Sequence, residues 1–124
     1  MGYYADAIEG AITIPQENQD GALRSVVSTL SKLNEGREGW RRIETYETYD
    51  SIHLVLTDEG FEYSQEDNGD LIVWGFHTKW REQETILNSL ADYVTKDSYM
   101  GFVGEDYALW KWTPNGVVEG RITW

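Results

Sequence analysis

The stretch that most constrains the fold is the last one, Ser98 to Trp124. Three runs rich in aromatic and β-branched residues, 98–103, 108–113 and 117–124, are separated by the turn formers Gly104-Glu105-Asp106-Tyr107 and Pro114-Asn115-Gly116. This pattern predicts a three-stranded antiparallel meander. Strand side chains alternate between faces, so Trp110 and Trp112 share one face of the middle run. By the same period Val118, Ile122 and Trp124 share a face of the last. So apolar a surface must be covered, and the chain upstream is read as the cover.

Tyr3 to Ile14 reads as a first strand, with Ile8, Ile12 and Ile14 on one face and Ala7, Glu9, Ala11 and Thr13 on the other. Gly10 marks a candidate bulge and Pro15 ends the strand. A helix follows, because Leu23, Val26, Val27, Leu30 and Leu33 form one apolar stripe. Asn18 is its candidate N-cap, Asp20 and Lys32 complement the dipole, and Gly36 is the stop. Gly21 weakens the first turn by about 1 kcal/mol. Arg37 to Tyr49 reads as an ordered loop around Trp40, with a basic pair at Arg41-Arg42.

Ser51 to Glu59 fits two templates. Ile52, Leu54 and Leu56 alternate as a strand would, whereas Ile52, Val55, Leu56 and Glu59 keep a helical period. A short helix is favoured, capped by Asp50 or Ser51 and stopped at Gly60. Phe61–Gln65 and Leu71–Phe76 then make a hairpin around Asn68-Gly69, whose two residues both tolerate positive φ. The second strand places Leu71, Val73 and Gly75 on one face and Ile72, Trp74 and Phe76 on the other, so it is expected inside a sheet. Arg81 to Val94 reads as a second long helix, with Ile86, Leu87, Leu90 and Val94 aligned. The expected class is α+β in one domain, residues 1–124: a mainly antiparallel sheet with two long helices packed on one face.

A chain of 124 residues buries about 65% of its unfolded surface and needs no staple. The absence of cysteine excludes disulfides, thiolate metal sites and thiol catalysis. No apolar run approaches the ~20 residues of a membrane span, and the first residues lack a signal-peptide pattern, so a cytoplasmic protein is expected.

Charge is the strongest global signal. Twenty-two acids against ten bases leave −12, which disfavours direct nucleic-acid binding. Ordinary solubility accounts for much of such a charge. The distribution adds to it, because Ile43 to His77 holds nine acids and no Lys or Arg: Glu44, Glu47, Asp50, Asp58, Glu59, Glu62, Glu66, Asp67 and Asp70. Those acids, with Trp40, are the candidate partner-binding residues, facing a basic surface on another protein.

Catalytic signals are thin. His53 and His77 are the only histidines, and no zinc, EF-hand or P-loop pattern occurs. Asp67-Asn68-Gly69-Asp70 lacks the downstream acid of a calcium loop and reads as a hairpin turn. Gly104-Glu105-Asp106 offers paired carboxylates but reads first as a tight turn. No catalytic residue, metal or cofactor is assigned. Six Trp and eight Tyr exceed the needs of a small core, and Trp40, Trp80, Trp110 and Trp124 are candidates for partial exposure at an interface.

Met1-Gly2-Tyr3-Tyr4, Thr13-Ile14-Pro15, Gly60-Phe61-Glu62 and Asp67-Asn68-Gly69-Asp70 form a set of short motifs. Gly104-Glu105-Asp106, Trp110-Lys111-Trp112, Asn115-Gly116 and Ile122-Thr123-Trp124 complete it. With these motifs the chain resembles a group of small uncharacterised proteins of bacteriophages and actinobacterial prophages. The group's pattern is Gly-Glu-Asp-Gly, and Tyr107 replaces its last Gly. The resemblance implies a phage accessory protein made in the bacterial cytoplasm and carries over no catalytic residue. The expected function is inhibition of a host nucleic-acid-handling protein, such as a CRISPR effector, restriction enzyme or polymerase, through a nucleic-acid-mimicking acidic surface. The alternatives are a small-molecule binder, such as a sponge for a nucleotide signal, and a virion or assembly component. A nucleotide phosphate would need Arg41, Arg42 and Lys111 to converge.

Overall fold

The computed structural model describes residues 3–35, 51–80 and 83–119. Six strands form one sheet in the order β2-β3-β1-β4-β5-β6, and every pairing is antiparallel. They are β1 (Tyr3–Ile14), β2 (Phe61–Gln65), β3 (Leu71–Trp80), β4 (Tyr99–Gly104), β5 (Leu109–Thr113) and β6 (Gly116–Glu119). The helices are α1 (Gln19–Glu35), α2 (Ile52–Asp58) and α3 (Gln83–Ser89). The expected α+β architecture and element order are therefore present.

One apolar core joins the helices to the sheet. Ala22, Val26 and Leu30 of α1, Val55 and Leu56 of α2, and Ile86 and Leu87 of α3 are buried with Ile12, Ile14, Val73, Met100, Phe102 and Trp112. Each such large side chain contributes about 1.5–3 kcal/mol through the water it leaves. Trp112 also donates its indole N–H to Asn88 Oδ1 at 2.9 Å, which ties the meander to the helical layer. The meander runs through β4, β5 and β6 as its sequence predicts, but Val118 is 56% exposed on its outermost strand. Ile122 and Trp124, read as its partners on that face, lie outside the described residues, as do Trp40, Arg41, Arg42 and Gly36.

Bulges correct two face assignments. In β1 the register shifts between Ala7 and Glu9 against β4, with Gly10 at φ +84°. Ala5 and Ala7 point to the core before the shift and Ile12 and Ile14 after it, leaving Ile8 49% exposed on the other face. In β3 the pairing with β2 skips Trp74, so Phe76 joins Leu71 and Val73 in the core while Trp74 is 49% exposed. A single inserted residue reverses the side-chain parity of everything beyond it.

The second long helix is corrected as well. The α-helix stops at Ser89, a 3₁₀ turn covers Ala91–Tyr93, and Val94 is extended. Tertiary partners take the carbonyls that a longer helix would use. Ser25 Oγ donates to the Ser89 carbonyl at 2.7 Å, and Asn18 Nδ2 to that of Tyr93 at 3.1 Å. Asn18, read as a cap for α1, thus serves the chain's other exit, inside a 3₁₀ turn that precedes the helix. Ser51–Glu59 resolves as the short helix α2, ended where Gly60 takes φ +91°.

The β2–β3 hairpin has a different turn from the expected one. Glu66 N–H donates to the Asp70 carbonyl and Gly69 N–H to that of Glu66, so the loop is Asp67-Asn68-Gly69. Gly69 alone has positive φ, at +94°. That is a three-residue loop closing on a left-handed glycine.

Candidate functional site

Two surfaces stand out: the acidic row along β2 and a cleft at one end of the sheet. Of the nine acids in the one-sided block, Glu44, Glu47 and Asp50 lie outside the described residues. Of the other six, Asp58 and Glu59 precede β2, Glu62 lies in it, and Glu66, Asp67 and Asp70 follow it; β2 is outermost among the described strands. Asp58 closes α2, Glu62 sits within β2, and Glu66 and Asp67 form the hairpin tip; all four are exposed. Five strand residues span about 17 Å, so the row is long and narrow.

Two of the six carry no outward charge to a partner in the same way. Glu59 is 8% exposed, and Gln83 Nε2 donates to its backbone carbonyl at 3.2 Å. Asp70 accepts from the Gln16 N–H at 2.9 Å and from Asn68 Nδ2 at 3.3 Å. Its carboxylate docks the hairpin on the entrance to α1. Gln19 Nε2 completes that joint at 2.8 Å from the Gly69 carbonyl.

Next to this row, on the sheet face away from the helices, Asp6 and His77 are direct partners across β1 and β3. His77 Nδ1 contacts Asp6 Oδ1, and both side chains are well exposed. The hydrogen bond to Asp6, then its charge and that of Glu62, raise the His77 pKa. When protonated, the imidazole forms an ion pair with Asp6 that ties β1 to β3. Among the described residues no three His, Asp or Glu gather as a metal would require, and no helix is long and apolar enough to cross a membrane.

The cleft measures about 540 Å³. Tyr3, Trp80 and Trp110 supply its aromatic lining, Ala108, Leu109 and Val117 its aliphatic lining, and Glu84 a carboxylate. Topology brings them together. Tyr3 opens β1 opposite Trp80, which ends β3, while Trp110, second in β5, lies opposite Phe102. Phe102 packs 4.8 Å from Trp80 and 5.7 Å from Trp110, and the two Trp rings meet edge to face at 5.1 Å. Trp80 and Trp110 are half-buried, in keeping with the expected partial exposure.

Gly104-Glu105-Asp106 is the turn between β4 and β5, and it also builds the cleft. Asp106 accepts a hydrogen bond from the Tyr3 hydroxyl, which pushes the phenol up to about 12 and lowers the Asp106 carboxyl. A Cβ at Gly104 would fall 1.6 Å from the Tyr3 oxygen, so only glycine admits that ring. Glu105 N–H donates to the Tyr4 carbonyl at 2.9 Å. Tyr107 then stands 86% exposed at φ +67°, the left-handed region where a glycine is preferred. Sequence reading found the loop but not its partner, because the Tyr3–Asp106 contact joins residues 103 positions apart.

No family model, curated protein or solved structure matches the chain.

Proposed function

We propose that the protein acts by binding another protein, engaging a basic surface with the acidic edge along β2. The observation that carries this reading is the row of exposed carboxylates at Asp58, Glu62, Glu66 and Asp67, in a segment with no Lys or Arg from Ile43 to His77. Opposite charge across an interface steers encounter and fixes register. Exposed aromatic side chains at Trp74 and Tyr107 suit the anchoring part of such a contact. By sequence, Glu44, Glu47, Asp50 and Trp40 extend the same block.

The resemblance to small phage proteins supplies the setting: a phage accessory protein in a bacterial host cell. Its partner there is a nucleic-acid-handling or defence protein, whose basic groove the acids occupy in place of phosphate, and the mode of action is inhibition without catalysis. Affinity purification from host lysate at low salt tests this. Recovery of a basic, nucleic-acid-binding protein, eluted by raised salt, is the expected result; recovery of none sinks the reading.

A second reading, small-molecule binding, draws support from the cleft. A nucleotide phosphate is a poor fit there. Lys111 lies on the opposite sheet face, 3.9 Å from Glu9 and 5.0 Å from the Tyr99 ring centre. The described lining holds a carboxylate and no Lys or Arg.

A further inference from the structure

We infer that the cleft at the β1–β3–β5 end of the sheet is a binding site for an organic cation, an ammonium or guanidinium head on an apolar body. This rests on the small-molecule reading of the cleft and is independent of the acidic edge.

The chemistry of the lining selects the charge. Tyr3, Trp80 and Trp110 present π systems to the cleft, and Trp is the best of the neutral partners for a cation. Glu84 adds a carboxylate from the first turn of α3, and no described lining residue is Lys or Arg. Beside the cleft, Asp106 keeps its negative charge, because the Tyr3 hydroxyl donates to it. An anionic ligand meets repulsion from every charged group described there. The aliphatic stretch of Ala108, Leu109 and Val117 asks for an apolar body behind the head.

The walls are also held in place before any ligand arrives. Trp80 is wedged against Phe76 at 5.6 Å and Phe102 at 4.8 Å, both near edge to face. Tyr3 is pinned at its hydroxyl by Asp106 and under its ring tip by Gly104. Preorganised walls spare the ordering cost of binding. The volume, about 540 Å³, falls in the range of ligand sites.

The test is a calorimetric titration with three probes of closely similar size: benzylammonium, neutral benzyl alcohol and anionic benzoate. Expected is binding of the cation at least about tenfold tighter than of the alcohol, with none of benzoate. Glu84→Gln, at an exposed helical position, should weaken the cation by about three- to tenfold. Val117→Trp, at an exposed position on β6, should fill the cleft and abolish binding while the circular dichroism is unchanged. N-acetylarginine methylamide as a fourth probe separates sources: binding assigns the site to a protein side chain, and binding of benzylammonium alone assigns it to a small molecule. The triple variant Glu62→Lys, Glu66→Lys, Asp67→Lys should bind the cation as before, which keeps a failure of the acidic edge distinct from a failure here. Equal binding of cation and alcohol, tighter binding of benzoate, or no binding of any probe overturns the proposal.

Discussion

Tyr107 holds a conformation its side chain disfavours. Its φ of +67° would suit glycine, and the ring is 86% exposed, so it gains little packing in return. Left-handed backbone costs a non-glycine residue about 1–2 kcal/mol, and such outliers cluster where a side chain is needed for function. Tyr107→Gly should therefore raise stability by about 1 kcal/mol in urea denaturation while weakening partner binding. A variant that gains stability and binds as well as before would reduce the residue to an unhelpful turn. The His77–Asp6 pair gives a second residue-scale outcome. Its partner raises the folded pKa of His77 above the unfolded value near 6.5, so the stabilisation is complete below that value. It is lost as pH rises through the folded pKa, and Asp6→Asn should flatten that fall in a denaturation series from pH 5 to 9. The same pair was invisible in sequence, because nothing local in Asp6 or His77 says that β1 and β3 align them.

At the scale of the elements, local patterns located almost every strand and helix, and long-range contacts decided their details. The turn formers around Gly104 and Asn115-Gly116 placed the meander, and Asn68-Gly69 placed the hairpin. Which faces met the core was less legible. The bulges at Gly10 and Trp74 invert parity, and a sequence records only an unbroken alternation, which groups Ile8 with Ile12 and Ile14, and Phe76 with Trp74, on faces they do not share. The apolar stripe through Leu90 and Val94 promised a longer α3 than exists, since Ser25 and Asn18 capture carbonyls from another element. The hairpin makes the sharpest element-scale prediction. Gly69 sits at φ +94°, and an added Cβ would lie 2.5 Å from the Gln16 side chain. Gly69→Ala should cost about 1–2 kcal/mol in thermal or chemical denaturation, part from the backbone and part from loosening the joint to α1. A loss below a few tenths of a kcal/mol would show that the joint contributes nothing.

For the whole molecule, the net charge of −12 is a property of sequence, but its arrangement is a property of fold. The topology puts β2 at the rim of the sheet and so spreads Asp58, Glu62, Glu66 and Asp67 along one edge, while Glu59 turns inward and Asp70 is spent on the hairpin joint. The aromatic excess divides in the same way. Trp112 is core, Trp80 and Trp110 line the cleft, and Trp74 stands on the face away from the helices with its N–H on Ser64 Oγ at 3.0 Å. Exposed charges are screened beyond about 8 Å at physiological ionic strength, so an interface built on this edge must respond to salt. The decisive measurement is the affinity for the partner recovered from host lysate, for the wild type and the Glu62→Lys, Glu66→Lys, Asp67→Lys variant, across a series of salt concentrations. The account predicts a wild-type affinity that falls steeply with salt, and a variant that binds at least about a hundredfold more weakly at low salt. Equal affinities with no salt dependence would contradict it.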